Sequence, residues 1–240
     1  MTSSHSEGRI RTALRDVGVA ADTLVFFTAD NGPEHNTPGS TGGLTGRKRD
    51  LTEGGVRNPG LLEWPLKITQ NVRSDYPAKV FDYLPTVLAL FNVESSHPAW
   101  SLDGINLVPV VDEIVAHAAQ SARDRGSAGG TTHTARPRAS PLRWETQHAF
   151  GGAKGDGHAS MQLAIVDNHL KLYGNRSSTG APFLWRLFNV TADPTESIDI
   201  QAHHPAVVAA LNASLQAWIL DVAKSRTVLE NGCNRWDPMV

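Results

Sequence analysis

Residues 23–29, Thr-Leu-Val-Phe-Phe-Thr-Ala, form a continuous β-favouring run that ends directly on Asp30-Asn31-Gly32. The run is too short for a helix. Unbroken rather than alternating apolarity suits a strand buried on both faces, as in a parallel sheet covered by helices. Just ahead of it, Ile10, Ala13, Leu14 and Val17 recur at helical spacing, with Arg9, Arg11, Arg15 and Asp16 turned away and Gly18 as a stop. A helix that leads through a short loop into such a strand is one piece of an α/β crossover.

Composition narrows the class of partner. The 240 residues suffice for one large domain or two modest ones. Lys and Arg number 22 against 24 Asp and Glu, a net charge of -2, so no global basic field exists to hold nucleic acid or an anionic membrane. The longest apolar runs, around Phe26 and Leu88, fall short of a bilayer, and no transmembrane segment is expected. The start, Met-Thr-Ser-Ser-His-Ser, has neither a basic nor an apolar signal region, so no signal peptide is read in this chain. A single cysteine excludes an internal disulfide framework and any Cys-rich zinc site.

Three stretches are expected. Residues 1–111 carry the α/β part: the strand above, a glycine-dense loop, a short strand at Leu61–Trp64 closed by Pro65, and a helix over 85–93. Residues 112–140 are rich in Ala, Ser, Gly, Thr and Arg, lack aromatics, and read as a flexible linker or insertion with solvated Arg123, Arg125, Arg136 and Arg138. Residues 141–240 form a smaller α+β part. Met161–Val166 and His169–Tyr173 make a hairpin around Asp167-Asn168, and Phe183–Val190 adds a strand. Asp193-Pro194-Thr195-Glu196 makes a turn, and from Pro205 a helix carries Val208, Leu211, Leu215, Trp218, Ile219 and Val222 on one stripe.

The chemistry is concentrated between Asp30 and Gly60, where glycines stand at 32, 39, 42, 43, 46, 54, 55 and 60. Ligands in open α/β sheets sit outside the carboxyl ends of strands, the expected place of Asp30 and Asn31. A carboxylate beside an amide oxygen offers two hard donors suited to calcium or magnesium; on spacing alone the same residues read as a tight turn. Lys48 could steady one oxygen of an anionic substrate, or stand as an exposed loop cation. Glu53 and Arg57, flanking Gly54-Gly55, are expected to brace the loop.

Taken together, T-L-V-F-F-T-A-D-N-G-P-E at 23–34, then G-G-L-T-G-R-K, E-G-G-V-R-N-P and Trp64-Pro65, resemble the sulfatase family, the formylglycine-dependent, alkaline-phosphatase-like group that includes the arylsulfatases. Asp82-Tyr83-Leu84-Pro85-Thr86, Leu102-Asp103-Gly104, and Leu187-Phe188-Asn189-Val190 with Asp193-Pro194-x-Glu196 extend the resemblance over most of residues 9–222. It implies the carboxyl-terminal part of an alkaline-phosphatase-like α/β domain, followed by a small antiparallel sheet with a C-terminal helix. It further implies Asp30 and Asn31 as ligands of a divalent cation, usually Ca2+, and Lys48 as a catalytic, sulfate-contacting lysine. The implied activity is sulfuric ester hydrolysis of a small sulfate ester or sulfated glycan, in a lysosomal or secreted protein. In the hairpin, Val166 and Leu170 replace an arginine and a tryptophan of the family pattern.

The family's formylglycine arises from Cys or Ser within C/S-x-P-S-R, and no such string occurs; Cys233 lies in Asn231-Gly232-Cys233-Asn234-Arg235. The chain is therefore expected to be the carboxyl-terminal half of a sulfatase, its formylglycine in a complementary N-terminal half. A phosphoryl-transfer hydrolase of the same superfold and a non-catalytic partner-binding fragment remain alternatives. Gly46-Arg47-Lys48 breaks the order of a nucleotide-binding P-loop. Sequons at Asn175, Asn189 and Asn212 fit a secretory route.

Overall fold

A computed structural model describes residues 3–93, 102–125, 131–132, 136–147, 161–176 and 181–232. In chain order its elements are α1 (Ser3–Asp16), β1 (Val25–Thr28), α2 (Glu53–Val56), β2 (Gly60–Glu63), β3 (Arg73–Ser74), α3 (Tyr83–Leu90), α4 (Val108–Arg125), β4 (Thr131–Thr132), β5 (Leu142–Gln147), β6 (Met161–Asp167), β7 (Leu170–Arg176), β8 (Leu184–Asn189) and α5 (Pro205–Gly232). They group into two units: Met1–Asp30 with Asn58–Ser140, and Asn31–Arg57 with Pro141–Val240. The glycine-dense segment thus belongs with the carboxyl-terminal residues, whereas the sequence places it in the 1–111 stretch.

In the first unit α1 stops where glycine permits it. Gly18 takes φ +76°, its N–H donates to the Arg15 carbonyl, and the Val19 N–H reaches back to Leu14. That pair of bonds satisfies two carbonyls at the helix end and turns the chain toward β1. β1 pairs antiparallel with β2, Phe26 opposite Leu62, and all four of its residues are half-buried. The expectation of a parallel sheet covered on both faces is therefore corrected among the described residues. Strand propensity selects an extended backbone without choosing its neighbour or direction. Phe26 instead stacks on Tyr83, ring centroids 4.2 Å apart.

The expected linker also needs correction. Residues 108–125 are helical, with Leu107 and Val110 buried and Val111, Ile114 and Ala118 half-buried beside them. A composition of Ala, Ser, Gly, Thr and Arg without aromatics suggests a linker, yet Ala is the strongest helix former and these apolar residues recur at helical spacing. Arg138 is no solvated charge either. Its guanidinium donates to both oxygens of Asp82, at 2.8 and 2.9 Å, and to the Pro77 carbonyl, with both side chains shut off from solvent. Asp82 also accepts the N–H groups of Lys79 and Ile105. Thr86 donates to the Asp82 carbonyl and accepts the Leu107 N–H, so both polar residues of Asp-x-x-Pro-Thr tie α3 to the segment leading into α4. Gly126–Gly130, His158 and Cys233 lie outside the described residues.

The second unit is built on the antiparallel sheet β5-β6-β7-β8. Its side chains alternate between two coverings, as the pleat requires. Leu163, Ile165, Leu172 and Leu187 face α5, where Leu211 and Leu215 complete a buried cluster with Val208, Trp218 and Ile219 at its margin. The Pro205–Ser225 stretch of α5 has the length and apolarity of a membrane span, and within it Leu211 and Leu215 are the buried residues. On the opposite face Ala164, Tyr173 and Phe188 pack with Leu51 and Val56 of the glycine-dense segment. The hairpin turn falls one residue later than expected: Asp167 pairs with Leu170, and Asn168 takes the left-handed φ of 55°. Asparagine tolerates that conformation better than most residues, and Asp167 stays extended in the pairing with Leu170.

Candidate functional site

Asp30 stands two residues beyond the carboxyl end of β1, exposed, and is the last residue of that part of the first unit. Asn31 opens the second unit half-buried, followed by buried Gly32, whose N–H donates to the Gly55 carbonyl at 2.9 Å. A Cβ at Gly32 would overlap the Gly54 carbonyl, and one at Gly55 the carbonyls of Arg47 and Asp50. Backbone therefore lies on backbone here, and only glycine permits it.

Lys48 lies in the second unit. Its N–H donates to the Pro33 carbonyl, which folds the loop so that Lys48 and Arg49 both face Glu34. The two cations are held differently. Arg49 Nη1 is 2.6 Å from Glu34 Oε1, whereas Lys48 Nζ is 3.8 Å from Oε2 and its side chain is 40% exposed. The His35 N–H bonded to Glu34, together with Arg49 and Lys48, holds that carboxyl below its ordinary value. The long Lys48 contact is weak in water, so an incoming oxyanion could compete for the ammonium.

Behind this loop lies a buried charge cluster that sequence reasoning did not find. Lys171, on β7, is fully enclosed on the face that carries Tyr173. Its Nζ lies 2.9 Å from Glu53 Oε1 in a hydrogen bond and 2.9 Å from Glu196 Oε1 as a charge pair. Glu196 Oε2 accepts the Glu53 N–H at 2.7 Å. Burial pushes the Glu196 carboxyl above the ordinary glutamate value, against the pull of Lys171. Arg57 reaches Glu53 Oε2 at 3.5 Å and the Val190 carbonyl at 3.3 Å, so Glu53 and Arg57 brace the loop as expected. A lysine between Leu170 and Leu172 in a β run was the available signal, since alternation puts it on the face of Tyr173.

Asp30 and Asn31 carry oxygen donors of the hard kind that calcium and magnesium accept. Among the described residues no group of three or more His, Cys, Asp and Glu side chains is gathered for a metal.

The architecture is that of the alkaline-phosphatase-like α/β class, with a small antiparallel sheet and a C-terminal helix. The crystal structure of Ps i-CgsB superposes with a TM-score of 0.65 at 22% identity, over 88% of this chain and 39% of that one. BT4656, solved in complex with D-glucosamine-2-N,6-O-disulfate, superposes with a TM-score of 0.53 at 18% identity, over 94% of this chain and 38% of that one. In sequence, the pattern of the family described as Sulfatase matches residues 5–93. Arylsulfatase A of Bos taurus is 42% identical over 107 residues, 43% of this chain and 20% of that protein. N-acetylgalactosamine-6-sulfatase of Homo sapiens is 37% identical over 112 residues, 44% of this chain and 21% of that protein. By sequence over residues 5–93 the chain is similar to sulfatases, and it spans about a fifth of the length of these curated relatives.

Proposed function

We propose that this chain contributes part of the cation and sulfate site of a sulfuric ester hydrolase. The observation that carries the reading is the sulfatase match over residues 5–93, which includes Asp30, Asn31 and Lys48 together with the Glu-Gly-Gly-x-Arg brace. Asp30 and Asn31 would hold a divalent cation through hard oxygens that suit calcium or magnesium, and the resemblance to sulfatases favours calcium. When bound, that ion would supply positive charge to the attacking group and to the ester oxygens. Lys48 would exchange its weak pair with Glu34 for one oxygen of the sulfate, retaining charge opposite the leaving group's negative build-up. The attacking formylglycine has no source motif in these 240 residues, so it would come from a complementary segment. The substrate class is a sulfate ester, small or carried on a glycan; the disulfated glucosamine bound to BT4656 supports the latter. The sequons at Asn175, Asn189 and Asn212 support a lysosomal or secreted setting.

Three measurements on the purified chain test this. With only two donors supplied, calcium should bind weakly, and Asp30→Ala should abolish what binding calorimetry detects. Inorganic sulfate should shift the methyl resonances of 13C-dimethylated Lys48 more than chloride at equal ionic strength; an indifferent Lys48 would sink its assignment. The chain should not turn over an aryl sulfate in calcium. Robust turnover lost in Cys233→Ala would overturn the reading and point to another enzyme.

A further inference from the structure

We propose that Lys171 is a positioning residue: it fixes the segment 45–57 against one face of the β5–β8 sheet, and with it the backbone that carries Lys48. Its functional meaning rests on the reading of Lys48 above; its structural content does not.

The main chain after Lys48 is tied at every second residue. Gln162 Nε2 donates to the Arg49 carbonyl at 3.4 Å, and Gln162 Oε1 accepts the Leu51 N–H at 2.9 Å. At Glu53 the tie becomes ionic, through Lys171 and Glu196. From this segment Leu51 and Val56 contribute the apolar packing on that face. Such contact is non-directional and would tolerate a sliding loop. A lysine at 0% exposure is a costly way to add stability, because well-packed apolar side chains often do as well in its place. What the ammonium adds is geometry: it accepts carboxylates only where Glu53 and Glu196 now stand. The segment 31–57 accordingly groups with residues 141–240 rather than with its sequence neighbours.

Amide hydrogen exchange on the whole chain tests this. In Lys171→Met, amides of residues 45–57 should exchange on the order of tenfold faster, while those of β6, β7 and α5 stay within about twofold of wild type. Unchanged rates in 45–57 would overturn the proposal. So would equal acceleration throughout the unit, the mark of a merely stabilising residue. Should Lys171→Met not fold, Glu53→Leu cuts the tie from the loop side and leaves Lys171 balanced by Glu196; the same local pattern is expected, and the same two outcomes overturn the idea. Sulfate titration of dimethylated Lys48 in wild type separates the readings. Local acceleration with an unresponsive Lys48 keeps the clamp and discards the anion contact; a response weakened several-fold in Lys171→Met joins them.

Discussion

Asp82 and Arg138 are 56 positions apart and meet as a buried bidentate pair. Two hydrogen bonds in parallel fix the guanidinium plane, and the Pro77 and Ser140 carbonyls take donors that would otherwise lack partners. Arg138→Ala should cost about 3–5 kcal/mol in urea unfolding, because it strips a solvent-inaccessible carboxylate of its bidentate partner. The Lys171 cluster differs in having two carboxylates for one ammonium. Glu196 is raised by burial, so its folded form holds a proton more tightly than its unfolded form. The stability from that preference is complete below the unfolded glutamate value and is lost as pH rises through the folded one. Urea midpoints of wild type should therefore fall relative to Glu196→Gln as pH rises from 4 toward 7. A constant difference between the two would show that Glu196 does not titrate in this way.

At the level of elements, α5 is a one-sided cover. Leu215 is fully buried against the sheet, while Leu220 is 65% exposed. Leu215→Ala should destabilise the chain by about 2–5 kcal/mol, and Leu220→Ala should be close to neutral in the same unfolding series. The glycine-dense segment is held in the opposite manner, by close backbone approach and polar ties. Gly55→Ala should cost about 1–3 kcal/mol, since the added methyl meets the Asp50 and Arg47 carbonyls and neither can turn aside easily.

Across the whole molecule the apolar core is unevenly shared. Leu163, Ala164, Ile165, Leu172, Leu187 and Leu215, the most completely buried aliphatic residues among those described, all belong to the second unit. The first unit leaves Ile10, Val17, Leu61 and Phe91 more than half exposed. Burial supplies most of the free energy that resists local opening. Hydrogen exchange should therefore reach β1 and β2 well before β6 and β7. Stronger protection in β1 than in β6 would contradict this ranking.

Much of the candidate site was legible because it is local. Asp30-Asn31-Gly32, Lys48 and Glu-Gly-Gly-x-Arg lie within 28 consecutive residues, 30–57, and adjacency carries their meaning. The alternation in β6 and β7 and the stripe of α5 were legible for the same reason, since pleat and helix repeat over short distances. What needed the tertiary structure was each partnership across the chain. Lys171 lies 118 positions from Glu53, and Arg138 falls in a stretch whose composition reads as solvated. The direction of β1 pairing was equally closed to inspection, because a run of strand-favouring residues fits a parallel or an antiparallel neighbour. Sequence fixes which residues want burial, charge balance or a left-handed turn; only folding decides which distant group satisfies them, because that choice is made by proximity in space.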